Sequence, residues 1–310
     1  MIRHVYTLLL IMIIPLCVTH DCHARFSLRK KIKSLLHSRL AEKIDQKEIP
    51  AHAIRSLSLA NDHGSITIKT GPKKSLFLRT IKRAKPIALN NLEVIVENIN
   101  NHVAITSHNN NKKKKYCIDY ELIVPAACDI ALNLSGSGDV FIKDVHGILD
   151  VVAHDNVTII NTKKLASVQT LKKGSISIVN AHGPIEAYTH KGAISGENIA
   201  DSFYARSTKG KITVTYKKLP STGIIDLTTT SGNITLGLPI GTNAAMYGHT
   251  MYGTLMCDHE ITLKSCTTKL NKLAWTQFTK QVDGILGTGD ASIAINSTQG
   301  NVKIVETQVT

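Results

Sequence analysis

Aromatic side chains are scarce in this chain of 310 residues and make up only 5% of it. β-Branched residues dominate the apolar set instead, and this composition favours stacked strands over a helical core. The sequence contains no C-x-x-C pair, no zinc-finger spacing and no aromatic-basic RNA-recognition motif. We therefore expect no metal site, no cofactor and no nucleic acid partner.

Motifs of nucleophilic and phosphate chemistry are also missing. No G-x-S-x-G elbow surrounds any serine, and the Gly-x-Gly sequences at Gly136 and Gly287 are followed by strand-like residues. A phosphate-binding loop would need a fuller glycine pattern between a strand and a helix. These absences predict that the protein is not an enzyme.

Long apolar runs are absent except at the start of the chain. Arg3 and His4 precede the apolar stretch 5–18, and Cys22-His23-Ala24 offers a cleavage site. A charged start, a short apolar core and small residues at the exit are typical of a secretory signal over residues 1–24. The stretch is shorter than the roughly 20 residues of a membrane span, although a retained anchor is the alternative. The predicted location is the periplasm, the cell surface or the extracellular space.

Acidic residues are outnumbered, with 23 Asp and Glu against 37 Lys and Arg, and the net charge is +14. Such a surplus favours an anionic glycan, an anionic membrane surface or an acidic envelope protein as the partner. A generally lysine-rich composition with no specific partner is the alternative interpretation.

Few cysteines remain once the signal is removed, namely Cys117, Cys128, Cys257 and Cys266. An even number in an exported chain permits disulfides, and four cysteines allow three pairings. The pairs Cys117–Cys128 and Cys257–Cys266 are favoured because each brackets a short strand-like stretch. Free buried thiols are the alternative.

Residues 25–49 have apolar positions at helical spacing, with lysine and arginine between them. The apolar positions are Leu28, Ile32, Leu35, Leu36, Leu40 and Ile44. A basic amphipathic helix is therefore predicted. Such a helix can lie on an anionic membrane, cap the end of a β-stack, or link the signal to the domain.

After Pro50 the pattern changes to alternating strands separated by turn residues. Residues 50–130 are therefore predicted to form a strand-rich N-terminal region that leads into the β-domain. The run NNNKKKK over 109–115 predicts an exposed loop. Lys113, Lys114 and Lys115 in it are candidate contacts for an anionic partner, or simply a solvated charge run.

An internal repeat follows, in which the phrase Gly-x-apolar-x-apolar recurs. Successive copies start at residues 138, 155, 174, 192 and 210, with intervals of 17, 19, 18 and 18 residues. Regular coils of about 18 residues are predicted over 131–240, and irregular C-terminal coils with a cap over 241–310. The chain then closes with two last strand phrases, at 289–293 and 300–304.

Each coil alternates apolar and polar residues, so one face of every strand is apolar. One coil cannot bury that face, whereas stacked coils bury it continuously. The sequence therefore predicts an all-β parallel β-solenoid in which Val140, Ile176 and Ile212 lie in one column of stacked strands. A ladder of Asx residues is predicted along one corner and is assigned a structural role. Its members are Asp144, Asn161, Asn180 and Asn198.

Several segments carry a resemblance to a known family. They are DYELIVP at 119–125, LSGSGDV at 134–140, SGNI at 231–234, and the closing stretch from Leu286 to Val302. In them the chain resembles the bacterial DUF4097-type β-strand-repeat proteins, which are described as candidate adhesins. The resemblance implies a parallel β-solenoid and an exported or envelope-associated protein. It supplies no catalytic or ligand-binding residues.

The predicted function is that of an exported, adhesin-like binding or structural protein of the cell envelope. Tyr188, Tyr204 and Arg206 project outward and are candidate contacts for its partner. The alternative is a carbohydrate-active enzyme on the same scaffold, using Asp150 and Glu186. These two acids would stand two coils apart, roughly 10 Å, at the far limit for an inverting pair.

Overall fold

The computed structural model describes residues 40–50, 54–71, 75–109, 115–263 and 280–307. The chain divides into two compact units, Met1–Leu40 and Ala41–Thr310, and all described strands belong to the second. The predicted signal, residues 25–39, Lys113, Lys114 and Cys266 lie outside the described residues. In the part that is described, no helix has the length and apolar character needed to cross a membrane.

The N-terminal part of the second unit contains eight strands and one short helix. They are β1 (Ala41–Ile49), β2 (Ser56–Asn61), β3 (Ile66–Thr70), β4 (Leu76–Ala84), α1 (Pro86–Leu89), β5 (Leu92–Ile99), β6 (His102–Asn109), β7 (Tyr116–Val124) and β8 (Asp129–Leu134).

The repeat region supplies the next eleven strands. They are β9 (Val140–Lys143), β10 (Leu149–Ala153), β11 (Val157–Thr162), β12 (Ala166–Thr170), β13 (Ile176–Ala181), β14 (Ile185–Thr189), β15 (Ile194–Ile199), β16 (Phe203–Ser207), β17 (Ile212–Tyr216), β18 (Ile224–Thr229) and β19 (Ile234–Pro239).

The C-terminal part supplies six more described strands. They are β20 (Ala244–Thr250), β21 (Leu255–Cys257), β22 (Thr262–Leu263), β23 (Gln281–Leu286), β24 (Ala291–Ser297) and β25 (Val302–Thr307).

The strands form two long, mostly parallel sheets, with two strands in each coil of the repeat. Sheet one has the order β1-β4-β7-β3-β9-β11-β13-β15-β17-β19-β25-β21, and sheet two has the order β22-β23-β20-β24-β18-β16-β14-β12-β10-β8-β2-β6-β5. Val140 pairs through Val157 with Ile176, which pairs through Ile194 with Ile212. The predicted parallel β-solenoid, with a coil of about 18 residues, is therefore confirmed.

The core lies between the two sheets, because alternate side chains of every coil point inward. Ile176 and Ile178 of β13 are buried, for example, whereas Ser177 between them is half-exposed. The same residue positions are buried in each neighbouring strand, so the apolar column is continuous from coil to coil. Stacking thus removes from water an apolar face that one coil would leave exposed.

The predicted helix over 25–49 is wrong for residues 41–49, which form strand β1. Glu, Lys and Gln favour a helix in isolation, but β1 forms an antiparallel ladder of nine residue pairs with β4. Cross-strand ion pairs strengthen the ladder. Arg83 Nε lies 2.8 Å from Glu42, and Lys82 Nζ lies 3.0 Å from Asp45. Tertiary pairing therefore overrides the local helical preference.

Chain order and stacking order differ at both ends of the solenoid. The coil β2–β3 lies between β6–β7 and β8–β9, and the coil β24–β25 lies between β18–β19 and β20–β21. The last two strand phrases of the chain are therefore not the last in the stack. Those phrases form an internal coil, and among the described strands β20 to β23 form that end.

The predicted Asx residues line the corner at which sheet one leads into sheet two. All four have a left-handed backbone, with φ between 55° and 62°. Their side chains form a chain of hydrogen bonds in which each Asn donates to the Asx below it. The three N–O distances are 2.5, 3.0 and 3.0 Å. The left-handed turn and the neighbouring amide both favour Asn at this position.

The opposite corner, at which sheet two leads into sheet one, repeats the motif Ser/Thr-x-x-Gly. The buried hydroxyl of Thr189 accepts a hydrogen bond from Gly192 N at 3.0 Å, and Ser207 accepts one from Gly210 N at 2.8 Å. A Cβ at Gly210 would collide with the carbonyl group of Gly192 in the coil below. Glycine is therefore required here because the stacked backbones touch.

Candidate functional site

The outward face of sheet two carries the predicted contact residues Tyr188, Tyr204 and Arg206. Tyr188 of β14 stands directly beside Arg206 of β16, and Glu186 stands beside Tyr204. Both tyrosines are half-exposed and Arg206 is exposed. The structure therefore brings these three residues together on two adjacent strands.

The charge on this face is acidic rather than basic. Asp150, Ser167, Glu186, Tyr204 and Asp226 follow one another across five neighbouring strands. Arg206 is paired with Asp226 at 3.6 Å, so part of its charge is already neutralised. This face is therefore a poor site for an anion.

Lys115, the described residue of the predicted lysine loop, is exposed just before β7 in sheet one. Tyr188, Tyr204 and Arg206 lie in sheet two, on strands β14 and β16. The structure therefore does not bring Lys115 together with them.

Lysines do collect at the corner that leads from sheet two to sheet one. The turns after β12, β14 and β16 stack directly, because Lys191 N donates to Lys172 O at 3.0 Å and Lys209 N donates to His190 O at 2.9 Å. We call the lysines of these turns the basic corner. They are Lys172, Lys173, Lys191, Lys209 and Lys211, and all five are exposed.

The basic corner concentrates positive charge because of the strand spacing. Successive turns are about 4.8 Å apart, so the backbones of adjacent lysine-bearing turns lie within one Debye length of about 8 Å at physiological salt. Like charges at this separation raise the local potential and attract anions. An anionic ligand that lies across the turns would relieve their mutual repulsion.

Sequence reasoning missed the basic corner, although its signal was available. The lysines are about 18 residues apart in the chain and form no conspicuous run, unlike Lys113 to Lys115. Superposing the repeats would have placed the turns at residues 171–173, 190–191 and 208–209 in one register. A charge column in a solenoid is thus visible only when the repeat period is applied to polar residues as well as apolar ones.

No protein family model matches the chain, and no curated protein matches it. Crystal structures similar to it include a candidate adhesin from Bacteroides fragilis, with 14% identity, a TM-score of 0.44, and coverage of 85% of this chain and 97% of that chain. A candidate cell adhesion protein from Clostridium sporogenes has 9% identity, a TM-score of 0.26, and coverage of 86% and 100%. A candidate lipid-binding protein from Parabacteroides distasonis has 12% identity, a TM-score of 0.36, and coverage of 86% and 97%.

These three proteins are described as adhesion or lipid-binding proteins, and none of the three descriptions names an enzyme. Membership of the DUF4097-type family stays a prediction.

The acids of the alternative enzyme hypothesis stand on separate strands. Asp150 of β10 and Glu186 of β14 are separated by Ser167 of β12. Two strand steps give about 10 Å between them, the far limit of carboxylate separation in inverting glycosidases. Both acids project from the outward face of sheet two, Asp150 exposed and Glu186 half-exposed.

A cleft of about 330 Å³ is lined by the turn between β19 and β20, the segment between β21 and β22, the end of β23, and β25. Thr242, Asn243, Glu260 and Glu306 contribute polar groups to its lining, and so does His259. His259 Nδ1 lies 3.8 Å from Glu306 Oε1, beyond hydrogen-bond distance. Within the described residues, no group of three or more His, Cys, Asp and Glu side chains is arranged to hold a metal ion.

The favoured disulfides are not present in the structure. Cys128 and Cys257 are free thiols, so neither the Cys117–Cys128 bond nor the Cys257–Cys266 bond is formed. Cys128 is instead fully buried in the apolar core, where it packs as a small hydrophobic residue. The alternative of a buried thiol thus describes Cys128.

Burial raises the pKa of the Cys128 thiol to about 12, and the nearby Asp129 adds to this shift. Because the thiolate is the reactive species, we expect Cys128 in the folded protein to resist iodoacetamide at about pH 8. Peptide mass spectrometry should show Cys257, which is half-exposed, reacting faster. In urea both should react at similar rates. Equal labelling of Cys128 in the folded and unfolded chains would contradict its burial.

Proposed function

We propose that this chain is an exported, adhesin-like protein of the cell envelope that binds an anionic partner through the basic corner and has no catalytic activity. The observation that carries the proposal is the alignment of five exposed lysines on three stacked turns. The predicted secretory signal over residues 1–24 supports export.

The position of these lysines favours binding over a purely structural role. Lysines that served only solubility would be spread over the surface and mixed with acids. In the basic corner the lysines instead lie on three stacked turns, and these turns contain no acidic residue. The backbones of these turns are joined by hydrogen bonds between coils, so little backbone ordering is needed on binding.

The proposal is tested with the double variant Lys191→Ala, Lys209→Ala in the full chain. We expect its affinity for immobilised heparin, and for other polyanions, to fall about tenfold at low salt because two adjacent cations are lost. Surface plasmon resonance across a series from about 50 to 500 mM salt should also show a weaker salt dependence for the variant.

The matched control is Lys163→Ala, Lys164→Ala. These two exposed lysines lie in the turn between β11 and β12, at the corner that leads from sheet one to sheet two. The control has the same net charge as the test variant, so a general charge effect would lower both affinities equally. Equal losses, or no loss in either variant, would overturn the assignment of the basic corner.

A further inference from the structure

The stacked turns continue beyond the basic corner towards the C-terminal end. Ser231 N donates to Thr208 O at 2.9 Å, and Gln299 N donates to Thr230 O at 2.9 Å. These next two turns carry Thr230, Ser231, Thr298 and Gln299 in place of lysine. Their hydroxyl and amide groups can donate and accept hydrogen bonds but carry no charge.

The sixth turn ends this row with exposed apolar and aromatic groups. Tyr252 N donates to Thr298 O at 3.0 Å, so this turn stacks on the previous one in the same register. Tyr252 is 67% exposed and Met251 is 50% exposed. Lys280 Nζ donates to Met251 O at 2.9 Å, which places another cation at this turn.

We call these six turns, after β12, β14, β16, β18, β24 and β20, the corner track. Their strands are consecutive in sheet two, so the corner track is five steps long, or about 24 Å. None of the turn residues is acidic. The sheet-two positions beside it are also free of acid and include Tyr188 and Arg206; they are Gln169, Tyr188, Arg206, Thr228, Asn296 and His249.

We infer that the corner track binds an extended acidic polysaccharide that lies parallel to the solenoid axis. This inference rests on the proposed function and names the partner class of the same site. The lysines contact the anionic groups, the Thr, Ser and Gln side chains hydrogen-bond to sugar hydroxyls, and Tyr252 stacks on the apolar face of a sugar ring.

The order of chemistries along the corner track favours a polysaccharide over other polyanions. A nucleic acid strand carries a phosphate on every nucleotide and is matched by cations along its whole length. The fourth and fifth turns of the corner track, after β18 and β24, are neutral and provide no cations. An anionic membrane is matched by basic and apolar groups together, and here the neutral polar turns separate the lysines from Tyr252.

The test compares Tyr252→Ala with the unchanged full chain, using polygalacturonate and heparin as acidic polysaccharides and inorganic polyphosphate as a charge-only polyanion. Of the two polysaccharides, one binds the unchanged chain more tightly. We expect Tyr252→Ala to lower the affinity for that polysaccharide about fivefold, because one aromatic stacking contact is lost. The affinity of the Tyr252→Ala variant for polyphosphate should equal that of the unchanged chain. Isothermal titration calorimetry gives all three affinities.

Tyr247→Ala is the matched control. Tyr247 is 38% exposed and lies in β20, the same strand that leads into the Tyr252 turn, but it projects from the sheet face in register with Ala294. The control should leave all three affinities unchanged. A fivefold loss for Tyr252→Ala that the control does not share supports the corner track.

The failure of this inference can be distinguished from failure of the proposed function. If Tyr252→Ala binds both polysaccharides as tightly as the unchanged chain while the Lys191→Ala, Lys209→Ala variant is weakened, the basic corner stands and the corner track is overturned. Tighter binding to polyphosphate, to poly(dT) or to phosphatidylglycerol vesicles than to either polysaccharide would also overturn it. If the lysine variant loses no affinity for any anion, the proposed function itself fails.

Discussion

A variant that ends at residue 288 is expected to lose most of its folding free energy. The removed residues include β24 and β25, which pair on both sides with other strands. The buried side chains lost with them are Ala291, Ile293, Ile295, Val302 and Ile304. Four large apolar side chains at about 2 kcal/mol each give roughly 8 kcal/mol, and a whole domain is stable by only about 5–15 kcal/mol.

Urea denaturation followed by circular dichroism measures this effect. The full chain should show a cooperative transition, and the variant ending at residue 288 should show a much lower midpoint or no transition. A variant ending at residue 307 retains β25 and is the control, with an expected midpoint close to that of the full chain. If instead β24–β25 only capped the stack, the shorter variant would keep most of its stability.

The second large effect is expected for Gly210→Ala. A methyl group at this position would collide with the carbonyl group of Gly192 in the coil below. The backbone cannot move away without breaking the hydrogen bond from Gly210 N to Ser207. We expect a loss of about 3 kcal/mol in the free energy of unfolding, at the upper end of typical overpacking effects.

Gly241→Ala is the matched control for Gly210→Ala. Gly241 has φ of +77° with no atom close to the position of an added Cβ, so its substitution tests backbone conformation without a collision. We expect a loss of only about 1 kcal/mol there. Both free energies come from the same urea titration. Similar losses at the two sites would show that close stacking of the turns does not set the cost at Gly210.

The repeat region was predictable in detail because its information is local. The residues of each copy indicate its own strand, turn and buried face, and the same residue type recurs at each stacked position. The alternation around Ile176 and the Asx register at Asn180 could therefore both be read from the chain. Period and parity together were sufficient to place Val140, Ile176 and Ile212 in one column of stacked strands, with Val157 and Ile194 between them.

The candidate site was predicted only in part. Tyr188, Tyr204 and Arg206 were correctly placed on an outward face by strand parity, but the ion pair of Arg206 depends on Asp226 in the next coil, beyond a longer turn. Tyr252 lies in a turn that is distant in the chain from the turns of the basic corner. Residues 251–252 reach the row only because β24–β25, which follow them in sequence, precede them in the stack.

The amino-acid sequence by itself determined the all-β class, the coil of about 18 residues and the face of each strand that is buried. These properties follow from the alternation of residues and from the turn residues within one repeat, and every copy of the repeat carries the same pattern. Tertiary structure alone decided that residues 41–49 form a strand, that Cys128 is a buried thiol, and that both ends of the stack depart from chain order. Pairing between distant strands sets these features, and its energy depends on which edge is available rather than on any local pattern.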